Sequence, residues 1–250
     1  MNLWRLEMLR LTRTRRWVAL VGVYVLFGLL GPLSTRYMEQ LLSSLGNSLQ
    51  GMSITLPTPT APAAMDAFVK NATQIGTIVV VVVAAGALAF DSVREMGIFL
   101  RTRVSSVTTI LLPRYLITTI ASAIAFTLGV LTAWYETWAL IGAIDAADIA
   151  IGIAYGVIYI ALVVAVVAAT AQWFRSVLPA VLAAIVILLL MPTLGLVNVI
   201  SDWVPSRLTS ALGELAAGAA PTDYLGAVLT SVLLISTCAV IAVAGARRMN

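Results

Sequence analysis

Histidine is missing from all 250 residues, cysteine occurs once, and only 10% of positions carry a formal charge. Without histidine there is no Ser-His triad, no imidazole proton relay, no histidine-ligated haem and no ordinary zinc site. With Cys238 alone, an intrachain disulfide or a cysteine-cluster metal site is ruled out, and the residue reads as a small packing element. A phosphate loop of the Gly-x-x-x-x-Gly-Lys-Ser/Thr kind is absent too, so the chain has no ATP-hydrolysing motif of that kind. Lysine is nearly absent: fourteen arginines accompany the single Lys70, a bias that fits a GC-rich bacterial genome.

What the chain has instead is apolar residues, 61% of the total, gathered into six runs. Runs of roughly twenty match a hydrocarbon layer of about 30 Å at about 1.5 Å per helical residue. The spans fall at about 17–33, 71–90, 114–140, 149–174, 178–200 and 224–246. Their β-branched content favours strands in a soluble setting, but buried strands run only about four to eight residues, so length decides for helices. The expectation is an all-α membrane protein with one transmembrane domain over 1–250.

The charges are sorted by side. Twelve of the fifteen basic residues precede span 1 or follow spans 2, 4 and 6, leaving Arg36, Lys70 and Arg207 opposite. Basic residues stay on the cytoplasmic side, so both termini are expected there. Trp17 and Trp173 at inner ends, and Trp134, Tyr135 and Trp138 at an outer end, form the expected aromatic belt. The net charge of +4 follows from this sidedness and from anionic inner-leaflet lipid, without nucleic acid. The first run follows a basic stretch, as in a signal peptide, but Gly31 to Thr35 is a poor cleavage site, so an uncleaved span is expected.

Intramembrane chemistry is sparse. An aspartyl protease needs two carboxylates inside the membrane, whereas Asp91, Glu136, Asp145 and Asp148 fall at or beyond the ends of the apolar runs. A cation-coupled carrier buries an ionisable group near mid-bilayer, and none is placed there. Gln74, Gln172 and Asn198 read as helix-packing hydrogen bonds. In span 4, Gly152 and Gly156 form a small-xxx-small pattern, open to packing within one subunit or between two.

The loops carry the remaining signals. Residues 1–16 mix Trp4 and leucines with Arg10 and Arg13, which fits a helix on the inner leaflet or a plain positive-inside anchor. Met38 to Leu49 suits a surface helix, followed by an extended connector over Pro57 to Pro62. Leu208, Leu212 and Leu215 at helical spacing suit an interfacial or re-entrant external helix between spans 5 and 6, or a packed outer loop. Most telling is 91–113, where Asp91, Arg94, Glu95, Arg101 and Arg103 crowd before Arg114. Each such charge costs about 2.5–3.5 kcal/mol at mid-bilayer, so this stretch is expected in water or at the membrane surface.

Six spans, cytoplasmic ends, a basic N-terminal helix and that charged loop together resemble the membrane subunits of ABC-2 type transporters. The specific part is Ala89 to Gly97, with Asp91, Arg94 and Glu95 in it, followed by Leu100, Val104, Ser105 and Ser106. That family has an Arg/Glu-x-Gly stretch, a leucine-rich turn, a Pro-Val-Ser element and a Gly-Lys at re-entry. Here Arg103 stands for the proline, Pro113-Arg114 for the Gly-Lys, and the spacing from Gly97 to Val104 is short. The resemblance implies a permease subunit of a bacterial inner-membrane exporter that is not itself an enzyme. It pairs with a second permease subunit, homo- or heterodimeric, and with two cytoplasmic ABC ATPase subunits that bind the ATP and Mg²⁺; this chain binds no cofactor. The 91–113 loop would be the coupling helix, with Asp91, Arg94, Glu95, Gly97, Arg101 and Arg103 as its ATPase contacts. Mixed charges on a short helix suit orientation-specific docking. The greasy spans suit a hydrophobic or amphiphilic substrate. The competing readings are a membrane scaffold or assembly factor that binds a cytoplasmic partner, and an ATP-independent carrier.

Overall fold

The structure is a computed structural model and describes residues 3–46, 58–89, 107–174, 176–195 and 200–247. These residues are almost entirely helical, with no strand among them. α1 is Leu3–Arg13 and α2 is Arg16–Gly46. α3 (Ala61–Asn71) runs through a single π turn (Ala72–Gly76) into α4 (Thr77–Leu88). Then come α5 (Val107–Leu140), α6 (Ala146–Phe174), α7 (Val177–Leu194), the short α8 (Arg207–Ala216) and α9 (Leu225–Arg247). Six of these helical segments are long and apolar enough to cross a membrane: Arg16–Met38, Ala61–Leu88, Thr108–Leu140, Ala146–Phe174, Val177–Leu194 and Pro221–Ala246. The chain is therefore a multi-pass membrane protein.

The span boundaries differ from the sequence expectation in instructive ways. α2 does not stop at residue 33 but continues to Gly46, absorbing most of the surface helix expected from Met38 to Leu49 into one rod. The second span starts ten residues early, at Ala61, with Pro62 in its first turn, where a missing amide costs nothing. Its polar residues made this piece read as external. Asp66 and Lys70 pair across one helical turn, 2.8 Å apart, while Met65 and Phe68 go inward, fully buried. The helix of the third span begins at Val107 rather than at Arg114, so the last residues of the expected loop are helical.

Packing centres on α6. Its C-terminal half, from Tyr159 to Gln172, is buried almost without interruption. Close approach is made by glycine. A methyl group on Gly28 would lie 2.6 Å from the carbonyl oxygen of Gly129, and one on Gly129 would lie 2.7 Å from that of Tyr24, so spans 1 and 3 cross backbone to backbone. The same reasoning resolves Gly152 and Gly156: the first faces Leu212 of α8 and the second the ring of Phe126 in span 3. Both glycines pack within this chain.

Successive spans alternate in direction, which gives the bundle two ends. At one, α8 buries Leu208, Leu212 and Leu215 against α6 and α3, with its Gly213 against Asp66. α8 is therefore a packed amphipathic cap. Tyr224, fully buried, donates its hydroxyl to Glu214 of α8 and ties the cap to the sixth span. The other end carries α1 with Arg10, Arg16 and Arg114.

Candidate functional site

Leu, Arg, Glu and Met dominate α1 and favour helix, and Arg10 and Arg13 lie in its last turn, where the helix dipole welcomes cations. The helix then breaks sharply. Thr14 turns its hydroxyl back onto the Arg10 carbonyl at 2.8 Å, and Arg15 adopts a left-handed conformation with φ 52° before the first span begins. The bend lays α1 across the base of the third span instead of prolonging the first.

That bend brings Glu7 onto Arg114. Arg114 Nε donates to Glu7 Oε1 at 2.7 Å, and the two side chains are only 4% and 8% exposed. Arg114 Nη1 also donates to the Ala87 carbonyl at 3.5 Å, near the end of the second span. The neighbouring carbonyl of Leu88 accepts from Gln172 Nε2 of the fourth span at 3.0 Å. Helix ends leave their final carbonyls without intrahelical partners, and here two side chains from other spans supply them. Arg16 closes the group: a methyl group on Gly86 would lie 3.2 Å from both terminal nitrogens of its guanidinium. Arg10 is 3.9 Å from Glu7, which thus faces two arginines.

The result is a polar knot joining α1 and spans 1 to 4 at the point where the chain leaves span 2 and re-enters span 3. Arg114, expected to open the third span directly after the charged stretch, is buried there because a carboxylate and a carbonyl satisfy it. Glu7 is the residue that sequence reasoning missed. Gln172 was expected to make a packing hydrogen bond and makes one.

Of the residues singled out in the sequence, Trp4, Arg10 and Arg13 lie on α1. Trp4 and Arg13 are exposed, and Arg10 lines the knot. Asp91, Arg94, Glu95, Gly97, Arg101 and Arg103 all lie outside the described residues. Gln74 sits in the π turn at mid-span with its side chain exposed. Glu136 lies in the last turns of the third span, which ends at Leu140 as expected, and its Oε2 has no hydrogen-bond partner among the described residues.

Beside the knot, spans 3, 4 and 6 line a half-open, almost wholly apolar pocket of about 280 Å³, reached by Leu111, Tyr115, Ala168, Ile235 and Ala242. Thr108 and Tyr115 are its polar side chains, and Tyr115 donates its hydroxyl to the Ala161 carbonyl at 3.1 Å. Among the described residues no group of three or more His, Cys, Asp or Glu side chains is placed to hold a metal. No family model matches the sequence, and no curated protein matches it either.

Proposed function

We propose that this chain is the permease subunit of an ATP-driven exporter of the ABC-2 type, embedded in the cytoplasmic membrane of a bacterium. It would move a hydrophobic or amphiphilic molecule with energy from ATPase subunits on separate chains. The observation that carries the reading is Arg114, which bonds at once to α1 through Glu7 and to the end of span 2 through Ala87. The charged stretch between spans 2 and 3 thereby has both its roots fastened to one knot.

In an ATP-driven permease that arrangement has a use. A push on the 91–113 segment by a soluble ATPase reaches spans 2 and 3 together, and Glu7 and Arg16 hand it to α1 and span 1. Rigid, hydrogen-bonded junctions transmit displacement where loose loops absorb it. Asp91, Arg94, Glu95, Arg101 and Arg103 are the proposed docking contacts, and a second permease subunit completes the pathway. The basic end faces the cytoplasm on this reading.

The variant Glu95→Arg tests it. Reconstituted with its ATPase, the wild type is expected to stimulate ATP hydrolysis in the presence of substrate, and the reversed charge to abolish that stimulation without unfolding the bundle. Transport that persists at full rate with Glu95→Arg, and without ATP, would mark an autonomous carrier instead.

A further inference from the structure

Among the described residues, the cleft of the knot gathers more basic than acidic side chains. Arg10, Arg16, Arg114 and Glu7 line one cleft with Thr14 and Thr118, three guanidinium groups against one carboxylate. Glu7 is committed to Arg114 at 2.7 Å and lies 3.9 Å from Arg10. Arg16 has no ion-pair or hydrogen-bond partner for its guanidinium among the described residues. Guanidinium groups withdrawn from water need an anion with several acceptor oxygens, and phosphate suits their forked geometry best.

The surroundings select the kind of phosphate. Outside the cleft, α1 exposes Trp4, Met8 and Leu9, and the first span exposes Trp17 and Val18 beside it. An apolar, tryptophan-bearing surface next to basic residues at a span end belongs at the headgroup level of a bilayer. The cleft itself, about 20 Å³, admits a water molecule but not a phosphate, so the anion rests at its mouth. There it meets Arg10, whose side chain is 32% exposed, and Arg16. We infer that Arg10 and Arg16 form a specific site for the phosphate of an anionic phospholipid whose acyl chains lie against the Trp4–Met8–Leu9 face. The inference rests only on the chain being embedded in a membrane and stands independently of the permease reading.

Native mass spectrometry of the purified protein in an uncharged detergent, titrated with dioleoyl phosphatidylglycerol, tests the site. Arg10→Gln/Arg16→Gln is expected to weaken binding about tenfold or more, whereas Arg5→Gln/Arg13→Gln, which removes the same charge from exposed positions of the same region, changes it little. Arg10→Gln alone, at the more exposed position, gives an intermediate loss and guards against a folding defect in the double variant. Equal losses for the two pairs would mean diffuse attraction and overturn the site. Equal affinity for dioleoyl phosphatidylcholine would do the same, as would displacement of the lipid by millimolar inorganic phosphate, which marks a soluble-anion site. The carboxylates of Asp91 and Glu95, close behind span 2 in sequence, are the internal alternative. If they neutralise the arginines, the double variant leaves phosphatidylglycerol affinity unchanged, and the proposal falls.

Discussion

A charge at a span end is normally cheap because it reaches water, yet Arg114 is buried and depends on Glu7. Removing one partner of a buried pair costs about 3–5 kcal/mol because the other charge remains, whereas replacing both by apolar residues of similar size is often neutral. Glu7→Leu and Arg114→Met are therefore each expected to lower the unfolding temperature in detergent sharply, while the double variant recovers most of the loss. A double variant whose loss equals the sum of the singles would show that the pair is not coupled. Nothing in the sequence marked Glu7 for this role. It stands among arginines on a short helix and reads as a solvated counter-charge, and its partner is 107 positions away. Gly152 and Gly156 carried an open question about one subunit or two, which could close only when their neighbours proved to be Leu212 and Phe126 of the same chain.

Among the elements, spans 1 and 3 make the most intimate crossing, and it rests on two glycines rather than on side-chain interlock. Gly28→Ala would press a methyl group onto a carbonyl that cannot turn aside, and overpacking of this kind costs about 1–3 kcal/mol. Gly22→Ala on the same helix meets nothing within 4 Å and should be neutral or gain up to about 1 kcal/mol from helix propensity. Thermal unfolding of the two variants side by side checks the contrast; equal behaviour would mean that the crossing is looser than described. The helices themselves were legible from hydropathy, since uninterrupted apolar length has few other uses. Their ends were less so. Lys70 and Asp66 concealed ten helical residues because an ion pair within one turn looks, in sequence, like two reasons to leave the membrane. The π turn at Ala72–Gly76 had no sequence signal at all: its Gly76 lies against the ring of Tyr24, a tertiary contact.

The whole molecule has a fixed polarity. One end is closed by α8, packed through leucines and held by Tyr224; the other gathers α1, the knot and the roots of the charged stretch. Composition foretold the broad outline, because six apolar runs of spanning length fit a helical membrane bundle. It could not foretell that Arg114 ties α1 to span 3 through a buried ion pair and span 2 through a hydrogen bond, the arrangement on which the proposed coupling rests. If the chain is driven by a separate ATPase, that ATPase must be physically attached to it. Purification of the tagged protein from its native membranes in mild detergent, with identification of what accompanies it, tests this most directly. The expected result is recovery of a soluble nucleotide-binding protein in amounts comparable to the tagged chain, with ATP hydrolysis in the purified fraction. Recovery of the membrane chain with no nucleotide-binding partner and no ATP hydrolysis would contradict it.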